Sequence, residues 1–289
     1  MYNYAILTES TCDLPAQLAA ELDLHVVRLH VLLDGKDYEN YLDGRELSFK
    51  SLYDSMREKK LPTTSLATYD SFYSEMKEIL DAGQDILYIG FSSTMSGTQN
   101  NGRLAAADLL EQYPERRIEI VDSLSASIGE GLLVYLCAGK RKDGASLDEV
   151  AAYAREAVPH MSHFFTVNDL MHVMRGGRAT KSSAILGSML GIKPIMNVND
   201  DGLMDKLMTI RGRKQSIRKI VELVKENMES PDAPVFVGHG DCIEEAEQLA
   251  AMLRNECGIT DITISYIGAV CGCHAGPGVL AVFYVGKKR

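Results

Sequence analysis

The sequence lacks four motifs that mark common catalytic sites. Its 289 residues contain no GxxxxGK[ST] loop, no GxGxxG after a strand, no GxSxG turn and no HExxH helix. A phosphate-binding loop, a dinucleotide fold, a hydrolase nucleophile turn and a zinc protease helix each need one of these patterns. The common nucleotide-binding and serine-hydrolase hypotheses therefore lose their support.

Long hydrophobic runs and an excess of basic residues are also missing. No stretch approaches the ~18 apolar residues of a membrane helix, and MYNYAILTES has no basic and then apolar leader. The net charge is −10, from 30 basic and 40 acidic residues. We therefore expect a cytoplasmic protein that does not have nucleic acid as its main partner.

Cysteine is sparse and scattered. Six cysteines in a chain of 289 residues fit reduced thiols better than a disulfide framework. The sharpest metal candidate is Cys271, Cys273 and His274, but no second Cys or His pair completes a site with them. We therefore expect no metal and no cofactor.

The length and the order of patterns predict two domains of an α/β protein. At 289 residues the chain is long for one domain, and 46% of its residues are hydrophobic. Residues 1–157 repeat a strand, a hydroxyl-bearing turn and a helix, which predicts an α/β/α sandwich with a parallel sheet. Ligands of such sheets bind beyond the carboxyl ends of the strands. Residues 158–289 predict a second α/β domain with a mixed sheet and helices on one face.

The stretch 85–106 is the strongest candidate for a binding loop. Asp85 to Phe91 has the length and composition of a buried strand, and a helix is predicted after Thr98. Between them lies SSTMSGT, where hydroxyls and the free N–H groups of a helix start can hold an anionic group. An ordinary hydroxyl-capped turn is the alternative. The same two interpretations apply to Thr8, Ser10 and Thr11.

The second predicted domain adds basic and glycine-rich loops. Arg175 and Arg178 flank two glycines in RGGR, and such a pair can grip a carboxylate or phosphate. His274 lies in the loop HAGPG, where its ring can donate to an anion. A solvated turn and a structural histidine are the alternatives. His239 and Asp241 are weaker candidates of the same kind.

Taken together, six motifs resemble the DegV family of bacterial lipid-binding proteins. This family includes the acyl-binding subunit of bacterial fatty acid kinase. The resemblance covers essentially the whole chain, and it rests on these motifs in this order: STCDLP (10–15), PTTS (62–65), SSTMSGT (92–98), DSLSASIGEG (122–131), RGGRATKSSAILGSMLGIKP (175–194) and HAGPG (274–278).

The resemblance implies a fold and a set of site residues. The family fold combines an α/β/α sandwich with a mixed-sheet domain, and a fatty acid lies in a tunnel. The residues implied to bind the carboxylate are Thr64, Ser65, Ser96, Gly97 and His274. The supporting or kinase-facing basic residues are Arg175, Arg178 and Arg211, with Arg213 and Lys214 competing for the place of Arg211. The chain departs from the family pattern at Leu66-Ala67-Thr68, and at Cys273 and Ala275 beside the histidine.

The resemblance also implies a function. The protein would bind a long-chain fatty acid and present its carboxylate to a separate ATP-dependent fatty acid kinase. It would then carry the acyl-phosphate onward, for example to an acyltransferase, in transient contact with a membrane surface, and without turnover of its own. Met-rich stretches at 170–174 and 189–196 would line the tunnel or belong to the core.

Two alternatives stay open at this point. One is a hydrolase or transferase that uses Ser96 as nucleophile and His274 as base. The other is a binder of a small polar ligand of the sugar-phosphate type, which would need a small polar pocket.

Overall fold

Strands and helices alternate along the amino-terminal part of the chain. The computed structural model describes residues 2–179 and 191–289. The first strands are β1 (Tyr4–Glu9), β2 (Leu24–Val27), β3 (His30–Leu33), β4 (Lys36–Glu39), β5 (Thr63–Ser65), β6 (Asp85–Gly90) and β7 (Ile118–Asp122). The first helices are α1 (Ala16–Glu21), α2 (Phe49–Arg57), α3 (Tyr69–Asp81), α4 (Thr98–Gln112), α5 (Ile128–Lys142) and α6 (Leu147–Ala157).

A parallel sheet with helices on both faces forms the centre of this part. Its strand order is β2-β1-β6-β7, and every neighbouring pair is parallel. All six residues of β1 are buried, as expected for a parallel strand that is covered on both faces. Helices α3 and α4 contact one face, and α5 and α6 contact the other. This arrangement is the predicted α/β/α sandwich.

A small antiparallel sheet stands beside it, in the order β4-β3-β5. Asp34 and Gly35 connect β3 to β4 with φ of 52° and 76°, the left-handed pair that a tight hairpin favours. The motif PTTS, a proline followed by three hydroxyl residues, has the composition of a loop, but Thr63–Ser65 pairs with β3, and Thr64 lies opposite Val31. That pairing depends on a partner more than thirty residues away in the chain, which the local pattern does not contain.

The carboxyl-terminal part is built on a mixed sheet. Its strands are β8 (Met161–Thr166), β9 (Ile192–Val198), β10 (Met204–Arg211), β11 (Val235–His239), β12 (Ile262–Tyr266) and β13 (Leu280–Val285). Its helices are α7 (Leu170–Gly176), α8 (Arg213–Asn227), α9 (Ile243–Cys257) and α10 (Ala269–Ala275). The order is β10-β9-β8-β13-β11-β12, and within it β11 and β12 are parallel while the other pairs are antiparallel.

The two faces of the mixed sheet have different neighbours. Alternate residues such as Phe164 and Val282 lie in one core with α8 and α9. The opposite set, which includes Phe165 and Phe283, faces α5 and the parallel-sheet core. The amino-terminal part therefore covers the face that α8 and α9 leave open. The strands of the two large sheets come from either side of residue 158, and the predicted boundary at 157/158 stays a prediction.

This arrangement brings two surfaces together. The loops after β1, β6 and β7, at the carboxyl ends of parallel strands, face the inner side of the mixed sheet. The part of the motif 175–194 that spans residues 180–190 lies outside the described residues. In the described ranges, no helix combines the length and apolar character needed to cross a membrane.

Candidate functional site

A cavity lies between the strand-end loops and the mixed sheet. Its empty space measures about 870 Å³, part of it open to solvent. Most of the side chains that line it are apolar. The apolar residues include Phe91, Met95, Phe165, Val198, Met204, Ile267, Val279, Ala281 and Phe283. The cavity is at the carboxyl ends of the parallel strands, where the alternating pattern predicted a ligand site.

One group of polar residues, which we call the outer end, is the more accessible part of the lining. It comprises Thr64, Ser65, Ser96, Arg178 and His274. Ser65 is exposed, and the other four are partly buried. Strand β5 places Thr64 opposite the last turn of α10, so that Thr64 Oγ1 lies 2.9 Å from His274 Nε2. Two residues 210 positions apart are thus hydrogen-bonded to each other, and their contact with a carboxylate stays a prediction.

The electrostatics of the outer end assign the positive charge to Arg178. Burial, together with the smaller effect of the nearby Arg178 guanidinium, lowers the pKa of His274 to about 4. His274 is therefore a neutral imidazole near pH 7, with one N–H donor. Arg178 Nε donates to the Met95 carbonyl at 3.3 Å, and a second nitrogen of its guanidinium donates to the Gly176 carbonyl.

Ser96 is held by the start of α4 and not by His274. Its Oγ donates to Thr98 Oγ1 at 3.0 Å and accepts from the Thr98 amide at 3.2 Å. Gly97 is the residue before α4; it is exposed and is not one of the residues that line the cavity. The Ser96–His274 pair that a nucleophile and base would form is not made in the described structure.

The predicted arginines separate into different environments. Arg178 lines the cavity, whereas Arg175 is exposed at the end of α7 and Arg211 is exposed at the end of β10. The competing Arg213 forms an ion pair with Glu245, with a closest distance of 2.7 Å. Arg213 also donates to the Gly278 carbonyl in the HAGPG loop at 2.7 Å. Arg213, and not the exposed Arg211, therefore makes the contact with the HAGPG loop.

A second group of polar residues, which we call the inner end, is almost inaccessible. It comprises Thr11, Ser127 and His163, which are 2%, 5% and 2% exposed. Ser127 precedes α5 in a conformation that side chains rarely adopt, with φ 55° and ψ −137°. Its Oγ donates to Asp13 Oδ2 at 2.5 Å. Ser127 and His163 line the cavity, but neither was a predicted site residue.

Three buried carboxyl groups, those of Glu9, Asp13 and Glu130, lie behind the inner end and contact its hydroxyls. Thr11 Oγ1 donates to Glu130 Oε2 at 3.1 Å and to Glu9 Oε2 at 3.3 Å. Burial raises the pKa of Glu9 to about 7 and that of Asp13 to about 7, and it raises the pKa of Glu130 well above its ordinary value. These groups favour their protonated forms, so they do not form an anionic wall behind the cavity at mildly acidic pH.

Methionine contributes to the cavity from positions other than those predicted. Met95 and Met204 line it. Residues 170–174 do not, and Met196 belongs to the core with 0% exposure. Met189 lies outside the described residues. Met196 therefore fits the alternative of ordinary core, whereas Met171 is exposed and fits neither interpretation.

The cysteines of the HAGPG region are thiols in a buried setting. Burial raises the pKa of Cys273 to about 12 and that of Cys271 well above its ordinary value. A thiol with a raised pKa is a poor nucleophile and metal ligand. Across residues 2–179 and 191–289, no three His, Cys, Asp or Glu side chains are grouped so that they could hold a metal ion.

Comparisons with known proteins agree on one family. A family model described as "Uncharacterised protein, DegV family" matches residues 3–287. A DegV domain-containing protein of Clostridium perfringens is 39% identical over 290 residues, which cover 100% of this chain and 99% of that protein.

Solved structures match along the whole chain. The structure of DegV from Bacillus subtilis, described as a fatty acid binding protein, has a TM-score of 0.85 and 28% identity, covering 99% of this chain and 100% of that chain. A fatty acid binding DegV family protein from Streptococcus agalactiae has a TM-score of 0.86 and 26% identity, covering 100% of both chains. These similarities confirm the predicted fold class.

Proposed function

This chain belongs to the DegV family, and from that premise we propose that it binds a long-chain fatty acid in the cavity, with the carboxylate at the outer end. The observation that carries the proposal is the distribution of polarity along the cavity. Hydroxyls, an imidazole and one guanidinium gather at the accessible end, and aromatic and aliphatic side chains line most of the remainder. A fatty acid has the same distribution of polarity.

The energetics favour such a ligand. Each buried methylene contributes roughly 0.8 kcal/mol before ordering costs are subtracted, so a long chain binds tightly to an apolar wall. A carboxylate buried without partners would cost several kcal/mol. Thr64, Ser65 and Ser96 supply hydroxyl donors, His274 can supply a ring N–H, and Arg178 supplies a charge that strengthens such bonds.

Relatives provide a second line of support. The Bacillus subtilis and Streptococcus agalactiae proteins are described as fatty acid binding, and their structures match this one over 99% and 100% of its length. The corresponding ligand class for this chain is a long-chain fatty acid.

The proposal extends to delivery of the bound chain. Because the carboxylate lies at the accessible end, a separate ATP-dependent fatty acid kinase can reach it without removing the chain from the cavity. Arg175 is exposed, and Arg178 is partly buried three residues later, so the two provide a basic approach for the kinase and its phosphate. The protein then carries the acyl-phosphate to an acyltransferase and does not turn over alone.

The geometry does not favour the two alternatives. His274 bonds Thr64 instead of Ser96, and its lowered pKa makes it a weak base near pH 7. A sugar-phosphate type of ligand needs a small polar pocket, but this cavity is lined mostly by apolar side chains.

Mass spectrometry of the purified protein tests the proposal. We expect about one fatty acid per chain, released by denaturation and organic extraction. The variant Ser96→Ala separates a carrier from an enzyme. A carrier would keep part of its lipid affinity, whereas an enzyme that uses Ser96 would lose its turnover, which must first be detected. An empty protein that also takes up neither palmitate nor oleate would rule out the proposed function.

A further inference from the structure

His163 is the polar side chain of the inner end that has no partner. It is 2% exposed and lines the cavity. Neither of its ring nitrogens makes a hydrogen bond of normal geometry with the described residues. Buried polar groups are nearly always satisfied, so an unpaired imidazole in a cavity wall indicates a missing partner.

The other polar groups of the inner end are already engaged. The Thr11 hydroxyl donates to the carboxyl groups of Glu9 and Glu130, and the Ser127 hydroxyl donates to Asp13. His163 is therefore the inner-end side chain whose ring makes no hydrogen bond of normal geometry, and the only described backbone group that acts on its ring nitrogens is that of Met161. Burial lowers its pKa well below the ordinary value, and Arg289 acts in the same direction, so the ring is neutral with one donor and one acceptor nitrogen.

The position of the ring is fixed on several sides. Its plane stands nearly perpendicular to the Phe283 ring, at 84° with 5.5 Å between centroids. On another side it lies against Gly129, where an added Cβ would be 1.8 Å from Nε2. The glycine at the start of α5 thus makes the space that the imidazole occupies.

The inner end lies well away from the carboxylate site. Val279, the residue before β13, donates to the Gly276 carbonyl just after α10, and Phe283 in β13 lies opposite His163. Four strand residues span about 13 Å at ~3.3 Å per residue. An extended chain covers this distance with roughly ten carbon–carbon bonds of ~1.5 Å in a zigzag. His163 therefore faces the middle of a long chain whose carboxylate is at the outer end.

We propose that His163 is a second polar subsite, which hydrogen-bonds a hydroxyl on the middle of the chain and makes mid-chain hydroxylated fatty acids preferred ligands. This inference rests on the proposed function, because it needs a fatty acid bound with its carboxylate at the outer end. A hydroxyl suits a neutral imidazole, since it can accept from the ring N–H or donate to the bare nitrogen. A plain alkyl chain would leave the ring without this hydrogen bond.

Calorimetry with three ligands tests the inference on the intact protein. The ligands are stearate, 12-hydroxystearate and, as a control with the hydroxyl beside the carboxylate, 2-hydroxystearate. We expect 12-hydroxystearate to bind about three- to tenfold more tightly than stearate, the range of one net hydrogen bond. We expect no such gain for 2-hydroxystearate. In His163→Phe, the ratio of the stearate and 12-hydroxystearate affinities should fall to about one or reverse.

A second measurement does not depend on the variant folding. With ¹⁵N-labelled histidine in the unchanged protein, the His163 ring nitrogens should shift on binding 12-hydroxystearate but not on binding 2-hydroxystearate. Equal affinities for stearate and 12-hydroxystearate, with no selective shift, would overturn the inference and leave fatty acid binding intact. If stearate itself does not bind, the proposed function fails, and the inference falls with it.

Discussion

The two ends of the cavity hold a histidine each, in opposite situations. His274 at the outer end has Thr64 as a partner at 2.9 Å and Arg178 nearby, and its neighbour Ser65 is exposed. His163 at the inner end has no hydrogen-bond partner among the described residues and is 2% exposed. The outer end is organised before any ligand arrives, whereas the inner end leaves its polar group to the ligand. The accessible end therefore suits a charged group, and the inner end suits a neutral one.

The space for His163 should be the feature most sensitive to change. Gly129→Ala would add a Cβ 1.8 Å from His163 Nε2, so the ring or α5 must move. We expect a loss of about 3 kcal/mol in the free energy of unfolding, the upper part of the overpacking range. Gly139→Ala in the same helix meets nothing within 4 Å and should stabilise by about 0.5–1 kcal/mol. Equal denaturation midpoints for the two variants would show that His163 does not occupy this space.

Removing the cation should weaken the outer end most. Arg178→Met keeps the length of the side chain but leaves the carboxylate without a positive partner, and we expect a loss of about 2 kcal/mol in fatty acid binding. Arg175→Met is the matched control, since Arg175 belongs to the same motif but does not line the cavity. Calorimetric affinities that fall equally in both variants would contradict the placement of the carboxylate.

The hydroxyl that pairs with His274 should have a smaller effect. Thr64→Val preserves the shape of the side chain and removes one donor, and the expected loss in fatty acid affinity is about 1 kcal/mol. Thr63→Val provides the control, because Thr63 is an exposed neighbour on the same strand and does not line the cavity. If Thr64→Val leaves the fatty acid affinity unchanged, the Thr64–His274 hydrogen bond does not contribute to ligand binding.

The titration of His274 should report the ligand directly. Without ligand its pKa is about 4, below the ~6.5 of an unfolded histidine. The unfolded state therefore binds more protons as the pH falls from ~6.5 towards 4, and this group costs stability progressively across that window. A carboxylate at the outer end should raise the pKa, because an opposite charge favours the imidazolium. Histidine NMR titrations with and without palmitate measure the shift, and His274→Asn identifies the resonance. An unchanged pKa in the complex would place the carboxylate elsewhere.

The sequence predicted the outer end better than the inner end for a physical reason. Ser96 belongs to a run of hydroxyls between a predicted strand and helix, and this local pattern is visible without the fold. The role of Thr64 depends on more, because β5 forms only when it pairs with β3. The resemblance to the family supplied that residue, while the local composition is that of a loop.

The inner end has no local signal. His163 lies in HFFTV, whose composition is typical of a strand, but the face that it occupies and its neighbours depend on pairing with β13 and on the glycine of α5. The choice between Arg211 and Arg213 also depended on contacts that the local sequence does not contain. Only the three-dimensional arrangement shows that Arg213 reaches Glu245 and the HAGPG loop, while Arg211 ends its strand exposed.

The central claim is the direction in which the chain lies in the cavity. A crystal of the protein with a fatty acid that carries bromine on its last carbon would locate both ends, since anomalous scattering marks the bromine. We predict that the carboxylate lies beside Thr64, Arg178 and His274, and that the bromine lies away from the outer end, among apolar side chains of the cavity. Bromine beside Arg178 with the carboxylate near His163, or a fatty acid only on the surface, would contradict the account.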